Sequence, residues 1–297
     1  MIWKKDKLKP TQPYFVLETD SFYQEIFLEQ GISHFYHFAL HDSKEIGVVP
    51  DGCIDMLFEY KPDGSIESYV CGSVLTYEKH FWESASDIFG VRFMPGYQPA
   101  GLNVRQKDLV NQRLPLKELL EDPHLYDPLE QEYDFFQRIR IFLQQYTKAV
   151  HKQKKPYGKQ ELVLEVKRLV YQTDGKIKVS ELQEQTGYSE RYINKVFVEE
   201  LGFSPKTFCK IIQFQWALEF LNYGAPDKMT DAAVALGYYD QAQFIRDFKK
   251  YAGMTPKKYL EYRQREEYVG RVRNIDLEGN SVSDYEGRYR KEKERTD

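Results

Sequence analysis

Apolar positions in the front half fall into short runs. Residues 34–39, 54–60 and 88–93 are rich in aromatic and β-branched side chains. Turn formers bound them: Pro50-Asp51-Gly52, Lys61-Pro62-Asp63-Gly64 and Pro95-Gly96. Several short strands at this spacing predict a β-barrel or sandwich. The period then changes. Phe135, Phe136, Ile139, Phe142 and Leu143 recur at helical spacing, predicting a helix over about 129–146, and the polar, basic stretch 152–158 reads as a linker. Leu162, Val166, Leu169 and Val170 form one apolar stripe of a further helix. After Gly270 charges alternate with few apolar residues between them, which predicts a solvated helix or disorder.

Residues 179–260 match themselves. Val179-Ser180-Glu181-Leu182 and Thr186-Gly187-Tyr188 correspond to Met229-Thr230-Asp231-Ala232 and Leu236-Gly237-Tyr238 at an offset of 50. One extra residue after the second glycine makes the offset 51. It then pairs Ile193, Phe197, Gly202, Pro205 and Phe208 with Phe244, Phe248, Gly253, Pro256 and Tyr259. Each unit has the grammar of a helix-turn-helix. Ser180 and Thr230 are the expected caps of a first helix, and Gly187 and Gly237 its stops. Ser189 and Asp240 cap a second helix that closes at Gly202 or Gly253, and Ser204-Pro205 and Thr255-Pro256 open the next. The stretch from Pro205 to about Tyr223 predicts a single connecting helix. Its length of about 27 Å would set the two second helices close to one DNA turn apart.

Charge is uneven along the chain. The 297 residues carry a net −4, divided as −8 over residues 1–150, +4 over 151–270 and 0 over 271–297. Any contact with a polyanion is therefore expected in the C-terminal half. A mean hydropathy of −0.64 and the lack of an apolar run near 18 residues argue against a membrane span. The N-terminal residues lack an apolar signal core, and the three cysteines have no C-x-x-C spacing, so a cytoplasmic location is expected.

The two-unit pattern resembles the AraC/XylS family of transcription regulators over about residues 160–262. The resemblance is carried above all by Ala232-Ala233-Val234-Ala235-Leu236-Gly237-Tyr238, Phe244, Phe248 and Gly253-Met254-Thr255-Pro256. It implies double-stranded DNA as partner, read by two recognition helices in successive major grooves. Carried over by alignment, the base-contacting positions are Arg191, Asn194 and Lys195 in the first unit. In the second they are Gln241, Ala242, Ile245 and Arg246. Ala242 and Ile245 depart from a hydrogen-bonding pattern and suit thymine methyl groups or backbone support. Phosphate contacts are expected from Lys206, Lys210, Lys249, Lys250 and Lys257. RNA polymerase and a second copy of the chain are further partners that the resemblance raises.

The front half, with residues 49–58 and 90–96, resembles a poorly characterised, cupin-like domain that often precedes such DNA-binding regions. It implies a sensor or oligomerisation role. Asp55 and Arg92 are charges within otherwise apolar strands. They form either a mutually satisfied ion pair or the polar wall of an effector pocket. His34, His37 and His41 suggest a metal cluster at first sight, but on a strand His34 and His37 face opposite ways, and no metal or cofactor is expected. Phe and Tyr residues suit an aromatic ligand cavity or ordinary core packing. The helix near 129–146 is either a dimer surface or a cover for the β-domain.

The expected fold is α+β: a β-barrel or cupin-like domain with helices over 1–150, a linker over 151–158, an all-α domain with two helix-turn-helix units over 159–265, and a charged tail over 266–297. The leading expectation is a non-enzymatic, sequence-specific regulator of transcription, with control by an unknown effector in the front domain as a further expectation; the rival is a cupin-like enzyme that keeps the helices as an interaction module.

Overall fold

The computed structural model describes residues 9–83, 87–132, 134–153, 158–223, 233–234 and 236–274. Within these the fold is α+β, with a sheet-rich front domain and a helical C-terminal domain. After a short helix α1 (Pro13–Leu17) come β1 (Ser21–Ile26), β2 (Ile32–Ala39), β3 (Lys44–Val48), β4 (Asp55–Tyr60), β5 (Ile66–Cys71), β6 (Glu78–Trp82) and β7 (Asp87–Phe93). Then follow α2 (Gln106–Leu109), β8 (Arg113–Pro115), α3 (Leu116–Leu119) and α4 (Phe135–Lys152). The main sheet has the order β8-β5-β4-β7-β2-β1-β9, where β9 (Val272–Asn274) comes from the far end of the described chain. β3 and β6 form a separate two-stranded ribbon.

Alternation of side chains gives the sheet two buried faces. Phe35, Met56, Phe58, Phe89 and Val91 meet Ile139, Phe142 and Tyr146 of α4. Tyr36, Phe38, Leu57 and Ile88 meet α1 and the ribbon's Ile46 and Trp82. Covered on both sides, β4 buries all six of its residues, the acids Asp55 and Glu59 included. The result is a lopsided sandwich, seven strands against two. α4 begins at an Asp134 cap, six residues later than the helix expected from periodicity, and runs on to Lys152. Its apolar stripe lies on the sheet, so of its two expected roles it performs the covering one.

The C-terminal domain contains α5 (Lys159–Gln172), α6 (Val179–Thr186), α7 (Glu190–Leu201), α8 (Pro205–Tyr223), α9 (Gln241–Ala252) and α10 (Pro256–Arg265). Caps set the boundaries. Ser189, Asp240 and Thr255 each accept from a backbone amide three residues on. One cap differs from expectation. α6 starts at Val179 with Lys178, not Ser180, as its cap, because the Glu181 carboxylate takes the Lys178 amide at 2.7 Å and closes the first turn two residues earlier. Thr230, the expected cap in the second unit, lies outside the described residues.

α8 has buried residues on every side, as its apolar residues of mixed phase require, with Lys206 exposed in its first turn. Phe208 and Ile212 join Leu162, Val166, Leu182, Ile193 and Phe197 in the first unit's core. Phe214 and Leu218 join Phe244, Phe248, Tyr251 and Tyr259 of the second, in a cluster continuous with α1 and the ribbon of the front domain. At ~1.5–3 kcal/mol per fully buried apolar side chain, this shared core ties the two domains together strongly. Polar contacts fix their alignment. Gln215, fully buried on α8, accepts from the Thr11 amide and donates to the Pro50 carbonyl, both at 2.8 Å. Tyr14 donates to the Ala252 carbonyl.

The expected charged tail is ordered in its first part. Tyr268–Arg271 form a short helix α11, the Arg271 guanidinium donates to the Thr19 carbonyl at 2.8 Å, and β9 pairs parallel with β1. Tyr268, buried at 2% exposure, supplies the apolar anchor that the charge alternation concealed. Residues 275–297 lie outside the described part.

Candidate nucleic-acid interface

α7 and α9 each turn one face inward and the other to solvent. On α7, Ile193, Val196 and Phe197 are buried, and Arg191, Asn194 and Lys195 are exposed. On α9, Phe244 and Phe248 are buried, Ala242 and Arg246 exposed, and Gln241 and Ile245 half-buried. The seven positions expected at base edges thus fall on the outward faces or their margins. Lys195 reaches toward Glu199 only loosely, at 3.9 Å, which leaves its ammonium within reach of another anion.

The five expected phosphate lysines divide. Lys206, Lys249, Lys250 and Lys257 are exposed. Lys210 is half-buried, and its ammonium sits 2.8 Å from the Asp247 carboxylate, joining α8 to α9. The helices also differ in charge. Glu190, Glu199 and Glu200 outnumber Arg191 and Lys195 on α7, whereas Arg246, Lys249 and Lys250 outnumber Asp247 on α9. Electrostatic attraction for a polyanion is concentrated in the second unit.

The C-terminal ends of both helices are held by the front domain. A Cβ at Gly202, the end of α7, would stand 2.7 Å from Val110 and 2.9 Å from Lys107. At Gly253, the end of α9, it would meet the Tyr77 ring at 2.7 Å, and the Tyr77 amide donates to the Lys250 carbonyl at 3.3 Å. Residues 72–77 and 105–112 brace each other. The Asn111 amide donates to the Ser73 carbonyl at 3.1 Å, and Asn111 Oδ1 accepts from the Leu75 amide at 3.0 Å. Sequence reasoning missed this wedge, since nothing local marks it.

Asp55 and Arg92 meet in a two-pronged ion pair, Nε to Oδ1 at 2.9 Å and Nη2 to Oδ2 at 2.5 Å. Tyr36 donates to the same carboxylate at 2.8 Å, and Asp51 approaches the guanidinium at 3.7 Å. Burial works against the Arg92 charge, but the Asp55 and Asp51 carboxylates outweigh it and hold the guanidinium well above its usual range. Burial pushes the Asp51 carboxyl up. Asp51 is also bonded within its own turn, where its Oδ1 accepts from the Cys53 amide at 2.9 Å. Asp51, Asp55 and Arg92 line a cavity of about 30 Å³ with Gly72, Ser73, Val74 and Trp82. That holds about two water molecules. The aromatic side chains around it are packed as core.

The three histidines disperse. His34 is buried beside the Ser33 hydroxyl, His37 pairs with Asp87 at 2.5 Å and His41 with Asp20 at 2.6 Å. Burial lowers the His34 pKa well below its usual value.

Residues 182–262 match a helix-turn-helix domain family, and residues 26–115 a domain of unknown function (DUF6597). A probable AraC family transcriptional regulator from Rhodopseudomonas palustris CGA009 is 30% identical over 34% of this chain and 95% of its own, with a TM-score of 0.31. By its C-terminal domain the chain belongs to the AraC family. An uncharacterized HTH-type transcriptional regulator of Staphylococcus aureus (strain MSSA476) is 35% identical over 28% of this chain. The match spans only 11% of that longer relative. ToxT from Vibrio cholerae is similar over 82% of this chain and 99% of its own, at 13% identity and a TM-score of 0.42. The helix-turn-helix match runs from within α6 to within α10, and the DUF6597 match covers the sheet from the end of β1 to β8. Among the described residues no helix is long and apolar enough to cross a membrane.

Proposed function

We propose that this AraC family member is a cytoplasmic, sequence-specific DNA-binding regulator of transcription that lays α7 and α9 into successive major grooves of one duplex. A single observation carries the reading. Both helices bury their apolar faces and leave Arg191, Asn194, Lys195 and Arg246 exposed on their outward faces. α8, at about 28 Å for its 19 residues, separates the units by nearly one DNA turn. Arg191, Asn194 and Lys195 read base edges, and Gln241, Ala242, Ile245 and Arg246 supply thymine-methyl and polar contacts. Lys206, Lys249, Lys250 and Lys257 hold phosphates, with Lys210 in support.

The front domain is the sensor or oligomerisation module in this reading. The cavity beside Asp55 and Arg92 is too small for an ordinary ligand, which needs roughly 300–1,000 Å³. An effector there would have to displace the segment beginning at Gly72, whose continuation meets the end of α9 through Tyr77 and braces the 105–112 segment that meets the end of α7. Ligand entry and helix presentation would then be one event. A second copy of the chain and RNA polymerase complete the proposed partners. The cupin-like enzyme alternative gains no support from histidines that are dispersed and individually paired.

The test is selection of genomic fragments by the purified protein, followed by titration of the selected site. Arg191→Ala or Lys195→Ala is expected to weaken that site by about 1–3 kcal/mol per base contact while sparing random DNA. Equal losses on both would remove the base-reading role.

A further inference from the structure

Three of the exposed large side chains among the described residues stand at the entrances of the two recognition helices. Tyr188 and Tyr192 are 48% and 39% exposed, and their rings stack with centroids 5.3 Å apart and planes 25° from parallel. They flank Ser189, the cap of α7. Tyr239 is 92% exposed and immediately precedes Asp240, the cap of α9. The capping bonds hold the backbone from which these rings project: the Tyr192 amide donates to Ser189 Oγ at 3.3 Å, and the Tyr239 amide to Gln243 Oε1 at 3.2 Å.

Sequence alignment conceals the correspondence. Tyr188 aligns with Tyr238, but Tyr238 is buried on Phe244 at 5.1 Å between centroids. The extra residue of the second unit, Tyr239, restores an open ring at the same place. Each unit therefore presents a solvent-facing tyrosine one residue before the cap of its recognition helix, although the two loops differ in length.

We infer that Tyr188, Tyr192 and Tyr239 are DNA-contacting side chains, their rings lying against thymine methyl groups and deoxyribose at the groove edge and their hydroxyls donating to phosphate. The assignment rests on the DNA-binding reading above and adds a group of contacts to it. Helix N-termini are the parts of such units that approach base edges. Exposed aromatic surface duplicated at both of them calls for a partner with an apolar component. Charge points the same way. α7, where acids outnumber bases, cannot draw much affinity from phosphate attraction, and neutral aromatic contacts supply it without displacing counterions. The first unit then reads and the second, with Arg246, Lys249 and Lys250, grips.

The experiment titrates the full chain on a selected genomic fragment at several salt concentrations. Tyr188→Ala, Tyr192→Ala and Tyr239→Ala are compared with the wild type, with their Phe counterparts and with Phe81→Ala, a 61% exposed control on β6. Each tyrosine-to-alanine variant is expected to lose about tenfold in affinity, the order of one base contact, with the salt slope unchanged. The Phe variants keep most of the binding, Phe81→Ala keeps all of it, and thermal melting of every variant stays at the wild-type value. Alanine variants within twofold of the wild type, or an equal loss at Phe81→Ala, would overturn the assignment while leaving the DNA reading intact. A wild-type protein that retains no fragment at any salt would overturn the DNA reading and the assignment with it.

Discussion

The ring of Tyr77 fills the space into which a side chain at Gly253 would grow, 2.7 Å from where its Cβ would stand. One residue of the front domain thereby fixes the end of α9, and Val110 does the same for α7 at Gly202. The ends of the two proposed recognition helices are thus held by segments of the front domain that belong to neither unit.

Substitution separates this contact from backbone cost. Gly187 and Gly253 have the same φ of 73°, but around Gly187 nothing lies within 4 Å. Gly187→Ala is expected to cost about 1–2 kcal/mol, the left-handed penalty alone. Gly253→Ala adds an overpacking cost of about 1–3 kcal/mol, and Tyr77→Ala in the same chain relieves the added part. Urea unfolding of the two single variants and the double variant measures this. Equal losses at the two glycines would show that the Tyr77 contact carries no stability.

Lys167 gives a pH signature. It is buried on α5, and its ammonium donates to the Gly96 carbonyl of the front domain at 2.7 Å. Burial pulls its pKa down to about 8. A depressed lysine contributes stability present above its unfolded pKa of about 10.4 and lost as pH falls through about 8. Lys167→Met should therefore be more stable than the wild type at pH 7, by roughly 1–3 kcal/mol. The advantage should shrink between pH 8 and pH 10. Denaturant unfolding across that window tests it, and a constant difference would mean the lysine does not titrate there.

What the chain order made legible was local. Ser189, Asp240 and Thr255 announce helix starts because a cap and the amides it satisfies lie within three residues. Turn formers around 50–52 and 61–64 likewise bound strands where they were expected. The candidate DNA faces followed from periodicity, since burial of Ile193, Phe197, Phe244 and Phe248 fixes which residues face out. The rest required contacts distant in sequence. The Asp55–Arg92 pair was legible as charges within apolar strands, but the Tyr77 wedge, the docking of β9 on β1 and the addition of Tyr36 and Asp51 to that pair each join segments with no local mark of their partnership. Glu181 moves one helix start, because its carboxylate reaches back to the Lys178 amide ahead of the more conspicuous Ser180.

The ion pair of Asp55 and Arg92 is expected to behave as structure whether or not an effector binds there. Arg92 is 2% exposed and faces two carboxylates. Arg92→Met would strand both acids without a counter-charge, at a cost of about 3–5 kcal/mol. Thermal and denaturant unfolding would register it. A loss below 1 kcal/mol would indicate that water reaches the carboxylates and that the cavity is more open than its packing implies.

Lys210 and the pair Lys249 and Lys250 offer a contrast within the set proposed to hold phosphates. All three lie in the basic half, but the Lys210 ammonium is committed to Asp247, whereas the others project from the outer turn of α9. Each lysine that neutralises a phosphate contributes about one unit to the slope of log affinity against log salt. Lys249→Ala and Lys250→Ala are expected to reduce that slope by about one each and to weaken specific and random DNA alike. Lys210→Ala should leave the slope unchanged and instead destabilise the second unit by about 1 kcal/mol, since it frees α9 from α8 and leaves Asp247 unpaired. Fluorescence titrations at four salt concentrations, alongside urea unfolding, distinguish the two behaviours. A slope change at Lys210 equal to that at Lys249 would mean the Asp247 bridge opens when DNA arrives, handing its lysine to the backbone.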